Sequence, residues 1–102
     1  MAKKGLVLGQ DKNYTGKLPT KELEKAINKL KVRYQDHSDD TKEVIGFEIN
    51  GGEGLTKSGL KKMDEFKEWA KKKGMDAEYN SNRDLEIITK ILRNRISNKN
   101  KN

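Results

Sequence analysis

Residues 43–62 read EVIGFEINGGEGLTKSGLKK, and the fold turns on how this stretch is divided. EVIGFEI (43–49) sets Val44, Gly46 and Glu48 against Ile45, Phe47 and Ile49, which predicts a strand with one strongly apolar face. Asn50-Gly51 is a turn signal, and two more glycines follow at 52 and 54. A helix is expected from about Thr56 or Ser58, because Leu60, Met63, Phe66 and Ala70 then share one stripe with Trp69 at its edge. If the chain passes here from strand to helix, the protein is α/β. If VIGFEI instead pairs back on GLTKS, residues 44–58 form a hairpin resembling the wing of a winged-helix protein.

The flanking segments favour the first division. GLVLG (5–9) reads as a short strand, and a polar loop, QDKNYTGKL, separates it from Pro19-Thr20. Thr20 is expected to cap a helix whose first turn holds Glu22 and whose face carries Leu23, Ala26, Ile27, Leu30 and Tyr34. The polar QDHSDD should end that helix near Tyr34. Downstream, KKKGM (71–75) closes the second helix: Gly74 takes the left-handed turn, and Met75 folds back as its apolar contact. MDAEY (75–79) alternates like a third strand, and Asn80, Ser81 and Asn82 offer caps for a last helix, RDLEIITKILRNRI. There Leu85, Ile88, Leu92 and Ile96 form an expected core stripe that Ile87 and Ile91 broaden, a surface wide enough to be covered on more than one side, which permits a homodimer contact through the 85–96 helix. The order is β-α-β-α-β-α, a small α/β or α+β domain over 1–97 with about three helices on a small sheet. A disordered basic tail is expected at 98–102. No internal repeat is legible.

Composition narrows the classes of function. The 102 residues are 38% charged and 31% apolar, with no cysteine, one histidine and a net charge of +7. Disulfide scaffolds and thiolate or multi-histidine metal sites are excluded. No apolar run approaches the roughly 20 residues that span a bilayer, and the start MAKKGLVLG lacks the apolar core of a signal peptide, so a cytoplasmic location is expected. His37 lies in an acidic loop and reads as a paired surface histidine. Lysines number 19 and arginines 4, as an AT-rich coding sequence would favour, yet the charge is uneven. Residues 1–34 carry nine basic and three acidic groups, 35–54 one and six, 55–75 seven and three, and 76–102 six and four. Nucleic acid is the commonest partner of such a basic balance.

The glycine loop invites a phosphate-binding reading. A phosphate loop needs G-x-x-x-x-G-K-[ST], and Gly51, Lys57 and Ser58 fit, but Thr56 stands where the second glycine should. Nucleotide hydrolysis also lacks its acidic metal ligand, and the G-x-G-x-x-G pattern fails at Lys57. What remains is a set of candidate backbone contacts to duplex DNA: Lys57, Ser58, Lys61 and Lys62 at a helix start, and Lys21 and Lys25 on the first helix. Lys21, Lys25, Lys29 and Arg33 recur every four residues, although Glu22 and Glu24 interrupt their field. Arg83, Arg93 and Arg95 weigh more than any lysine, since codon supply does not explain them and arginine reads guanine edges bidentately. The few aromatic residues fall mostly on core-facing positions, which disfavours stacking on single strands. No catalytic, metal, cofactor or small-molecule site is expected.

Residues 44–92, with FEI, then LTKSGLKKMDEFKEWAKKKGMDAEYNSNRDLEII, resemble the STAS domains of the anti-anti-sigma type in the order and spacing of strand, turn and helix. Ser58, Gly59 and Leu60 match that family's serine-bearing turn, while Thr56 and Lys57 depart from it. The resemblance implies a protein-interaction regulator whose phosphorylatable serine would be Ser58. The residues themselves favour a small, basic, non-enzymatic DNA-binding protein that grips duplex phosphates through its lysines, arginines and glycine-rich loop, an accessory or regulatory factor of a plasmid, phage or chromosomal control site.

Overall fold

The computed structural model describes residues 3–99, with side chains as far as Arg93. Its elements run β1 (Lys4–Asp11), α1 (Thr20–Gln35), β2 (Lys42–Asn50), α2 (Lys57–Lys72), β3 (Asp76–Asn80) and α3 (Asn82–Lys99). The three strands form one parallel sheet in the order β1-β2-β3. The hairpin alternative is therefore wrong. β2 pairs on both sides with parallel strands, and GLTKS supplies only the isolated parallel bridge Leu18–Leu55 before α2 begins. Once β2 is hydrogen-bonded along both edges, no edge is left to pair with the segment after it.

Because the strands are consecutive and parallel, crossovers of one hand lay α1 and α2 on the same face of the sheet. That face holds the core: Leu8, Val44, Phe47, Ile49 and Ala77 from the strands meet Leu23, Ala26, Ile27 and Leu30 of α1 and Met63, Phe66 and Ala70 of α2. Tyr34, Phe47, Phe66 and Trp69 form an aromatic cluster with ring centres 5.3–5.9 Å apart. Lys31 and Lys73 lie 5.0 and 5.2 Å from the Trp69 ring, so two of the lysines cover the core's edge.

One strand departs from simple alternation. Leu6 pairs with Val44 and Val7 with Gly46, so Ile45 is an extra residue, a β-bulge in β2. Strict alternation puts Ile45 beside Phe47 and Ile49. The bulge instead sends Val44 into the core and leaves Ile45 half-exposed on the opposite face, lying over Gly5. On that same face an amide ladder fixes the register of the strand ends. Asn50 Nδ2 donates to Asp11 Oδ1 (3.0 Å), and Asn80 Nδ2 donates to Asn50 Oδ1 (3.0 Å).

The helix ends follow local chemistry. α1 is capped by Pro19 and not by Thr20, with no side-chain hydrogen bond to its first turn. α2 is capped by Thr56, whose hydroxyl accepts the Gly59 N–H at 3.0 Å. At the far end Met75 N–H reaches Ala70 O and Gly74 N–H reaches Lys71 O, with Gly74 at φ +79°, the expected left-handed stop. α3 starts from a reciprocal box in which Ser81 Oγ accepts the Asp84 N–H and Asp84 accepts the Ser81 N–H and hydroxyl. It continues through residue 99, so the expected tail is helical at 98–99, and residues 100–102 lie outside the described part. No helix among the described residues is long and apolar enough to cross a membrane.

Candidate nucleic-acid interface

In a parallel sheet every strand ends at the same edge, and ligands of such folds collect there. Here that edge brings the starts of α1 and α2 side by side. Leu18 N–H donates to Gly54 O (2.9 Å) and Glu53 N–H to Gly16 O (2.8 Å), stitching the two loops together. The hydroxyl of Thr20 lies 2.6 Å from those of both Thr56 and Ser58, so three hydroxyls close the junction. Lys21 follows Thr20 in one helix, and Lys57 and Ser58 open the other, all three exposed; Lys61 stands one turn along α2.

The glycine loop is partly tied into the fold. Gly51 N–H donates to Asn80 O, Glu53 N–H to Gly16 O, and Gly54 N–H to the Tyr79 hydroxyl at 3.2 Å. Three N–H groups of the loop are thus taken up by the protein itself. The glycines serve a close approach: a Cβ on Gly51, at φ +123°, would sit 1.7 Å from Lys12 O. The Tyr79 hydroxyl also donates to Gly51 O (2.7 Å), and burial raises its pKa above that of a free phenol.

Ion pairing separates the candidate lysines. Lys62 pairs with Glu24 (3.5 Å), and Lys25 pairs with Glu22 (3.4 Å), which Lys12 also approaches at 3.5 Å. Burial acts to raise the Glu22 pKa, but the charges and hydrogen bonds of Lys25 and Lys12 outweigh it and hold the carboxyl below its ordinary value. Lys21, Lys57 and Lys61 take part in none of the ion pairs among the described residues. The arginines are not gathered with them. Arg83 borders a shallow cleft with Glu53, Gly54, Ser81, Asn82 and Glu86, at the same sheet edge but on the β3 side. Arg93 is exposed farther along α3, and the Arg95 side chain lies outside the described residues. Arg33 is engaged within the fold, donating to Gly9 O at 2.8 Å.

The tertiary structure also sorts charge by layer. α1 carries five basic and two acidic residues, α2 six and three, and α3 five and two, whereas the three strands carry two and five. No group of three potential metal ligands occurs among the described residues. The hydroxyl junction of Thr20, Thr56 and Ser58 escapes a residue-by-residue scan. Its signal is the recurrence of LPTK at 18–21 and LTK at 55–57, one at each helix start, which marks two successive strand–loop–helix units. Compared with family models, curated proteins and solved structures, the chain finds no match in any of the three.

Proposed function

We propose that this protein is a small, non-enzymatic, cytoplasmic DNA-binding factor that grips duplex phosphates with the paired starts of α1 and α2. The observation that carries this reading is the convergence of two parallel helix N-termini with Lys21, Lys57 and Lys61 exposed around a knot of hydroxyls. Helix N-termini favour anions through their dipoles and unpaired N–H groups. The α1 terminus has no side chain capping it. Lysines, hydroxyls and helix starts are the usual donors to a phosphate backbone, and such contacts position a protein without reading sequence. Lys25 and Lys62, tied to glutamates, contribute field more than contact. Arg83, at the same edge, is the group best placed to reach a base, while exposed Arg93 extends the basic surface along α3 and Arg95 adds to the charge of that helix. The size and charge suit an accessory or regulatory role at a plasmid, phage or chromosomal control site, with no small molecule or membrane as partner.

The test is a titration with random and specific duplex DNA at several salt concentrations. Affinity should fall steeply with salt, and Lys57→Ala or Lys61→Ala should each reduce the log–log slope by about one unit. Undetectable binding at low salt would overturn the proposal. One observation favours a second reading, a protein-interaction regulator of STAS-like type. Ser58 is exposed at a helix start beside Lys57, where a phosphoryl group would be stabilised. Phosphorylation of Ser58 that abolishes binding of a protein partner would support it.

A further inference from the structure

Parallel sheets are normally covered on both faces, and among the described residues this one is covered on one. The bare face presents Val7 and Ile45, each 50% exposed, over Gly5, Gly9 and Gly46. Around them stand carboxylates. Glu48 and Glu78 are direct register partners on adjacent strands, and Asp76 pairs with Gly46. Neither glutamate takes part in any ion pair among the described residues, so like charges lie side by side with no cation between them. The same molecule carries the complementary element. Beyond its first turn α3 leaves the body, touching mainly β3, with Ile87, Ile88, Ile91 and Leu92 between 46% and 52% exposed. At 100° per residue these side chains form one broad arc, and Lys90 and Arg93 flank it on its two sides.

We propose that the bare sheet face is the docking site for α3 of a second copy, and that two chains exchange these helices to form a symmetric dimer. Three features select this occupant. Lengths match: the 18 residues of α3 span about 27 Å, and the eight and nine residues of β1 and β2 span roughly 26–30 Å. Area suffices: the six half-exposed aliphatic residues bury on the order of 500 Å² per copy, the apolar share of an interface near 800 Å² per partner. Charge agrees: a helix with five basic and two acidic residues meets a strand layer with two and five. Pairing α3 against α3 would instead bring two basic helices together.

The chain's own helix is held away from its own sheet. Only Ser81 separates β3 from α3. Asn82 N–H donates to Gly52 O (2.8 Å), its side-chain amide donates to Tyr14 O (2.9 Å), and the Ser81–Asp84 box locks the first turn. The departure angle is therefore set by hydrogen bonds to two other loops. Folding back would break them, and a second copy receives the helix without disturbing them.

The experiment uses the full chain, whose lack of cysteine makes introduced thiols unique. Sedimentation equilibrium at roughly 10–100 micromolar, well above a Kd of about 1 micromolar, should give a dimer for the wild type. Leu92→Asp on the helix and Ile45→Asp on the sheet should each give monomers. Ile45 is partly packed over Gly5, so a second measurement guards against misfolding. An I45C chain mixed with an L92C chain, each otherwise unchanged, should form a cross-linked heterodimer through a short thiol-reactive linker. A monomeric wild type would overturn the proposal. So would a dimer that survives either Asp substitution, Ile45→Asp in particular pointing to helix–helix pairing, or the absence of an I45C–L92C cross-link.

Discussion

Replacing Gly51 with alanine should be among the most damaging single-methyl additions available to this protein, and Gly54→Ala its matched control. Both glycines have positive φ, +123° and +109°, so both substitutions strain the backbone by about 1–3 kcal/mol. They differ in what the new methyl meets. At Gly54 nothing lies within 4 Å, whereas at Gly51 the methyl would fall 1.7 Å from Lys12 O and 2.7 Å from its carbonyl carbon. The two loops must then separate by more than an ångström. That motion breaks the Lys12 N–H to Asn50 O bond (2.7 Å) and the Gly51 N–H to Asn80 O bond (2.9 Å), at about 0.5–1.5 kcal/mol each. Gly51→Ala should cost about 2–6 kcal/mol, a large part of the 5–15 kcal/mol typical of a domain, and Gly54→Ala only the backbone strain. Equilibrium urea unfolding followed by Trp69 fluorescence measures both. Equal losses would refute the close-approach account and show that the loops part freely.

Tyr79→Phe removes a hydroxyl that donates to Gly51 O and accepts from Gly54 N–H, and should cost about 1–3 kcal/mol by urea unfolding; no change would mean that water replaces the phenol. The same phenol predicts an alkaline limit: its pKa is raised in the folded state, so its contribution is full below the unfolded value near 10 and is lost as pH rises through the folded one, a loss absent from Tyr79→Phe. At the acid end the backbone N–H and then the hydroxyl of Ser81 hold the Asp84 carboxyl below its ordinary value. Its contribution is present above pH about 4 and is lost as pH falls through the lowered pKa, so far-ultraviolet circular dichroism should show α3 loosening in acid. Ser81→Ala should reduce helicity at neutral pH and flatten that acid transition; an unchanged profile would contradict the capping box.

Much of the fold is legible because local chemistry and tertiary structure agree. The apolar period of α1, that of α2 from Met63 onward, the Gly74 stop and the cap at Ser81 are set by contacts within a few residues, and each element appears within about three residues of its sequence-read bounds. Leu60, read into the α2 stripe, is instead 55% exposed, and Gly59 is buried at that turn. Alternation failed at Ile45, because a bulge depends on how β2 registers against β1, which the β2 segment does not encode by itself. Thr20 looked like a cap from its neighbours, yet its hydroxyl faces Thr56 and Ser58 across the sheet edge. The candidate lysines were legible as a set; their division into paired and unpaired members was not, since Glu24 meets Lys62 only when α1 packs on α2.

The sequence by itself determined the order of elements, the basic balance and the absence of thiol chemistry, because periodicity, charge and composition are properties of the chain alone. Tertiary structure decided that the strands are parallel, so that two helix starts and their lysines converge at one edge. It decided that the glycine loop is tied into the fold, because groups distant in sequence take up the N–H groups of Gly51, Glu53 and Gly54. It also left one sheet face and one helix face bare. Those are facts of where layers stop, and no local pattern records them.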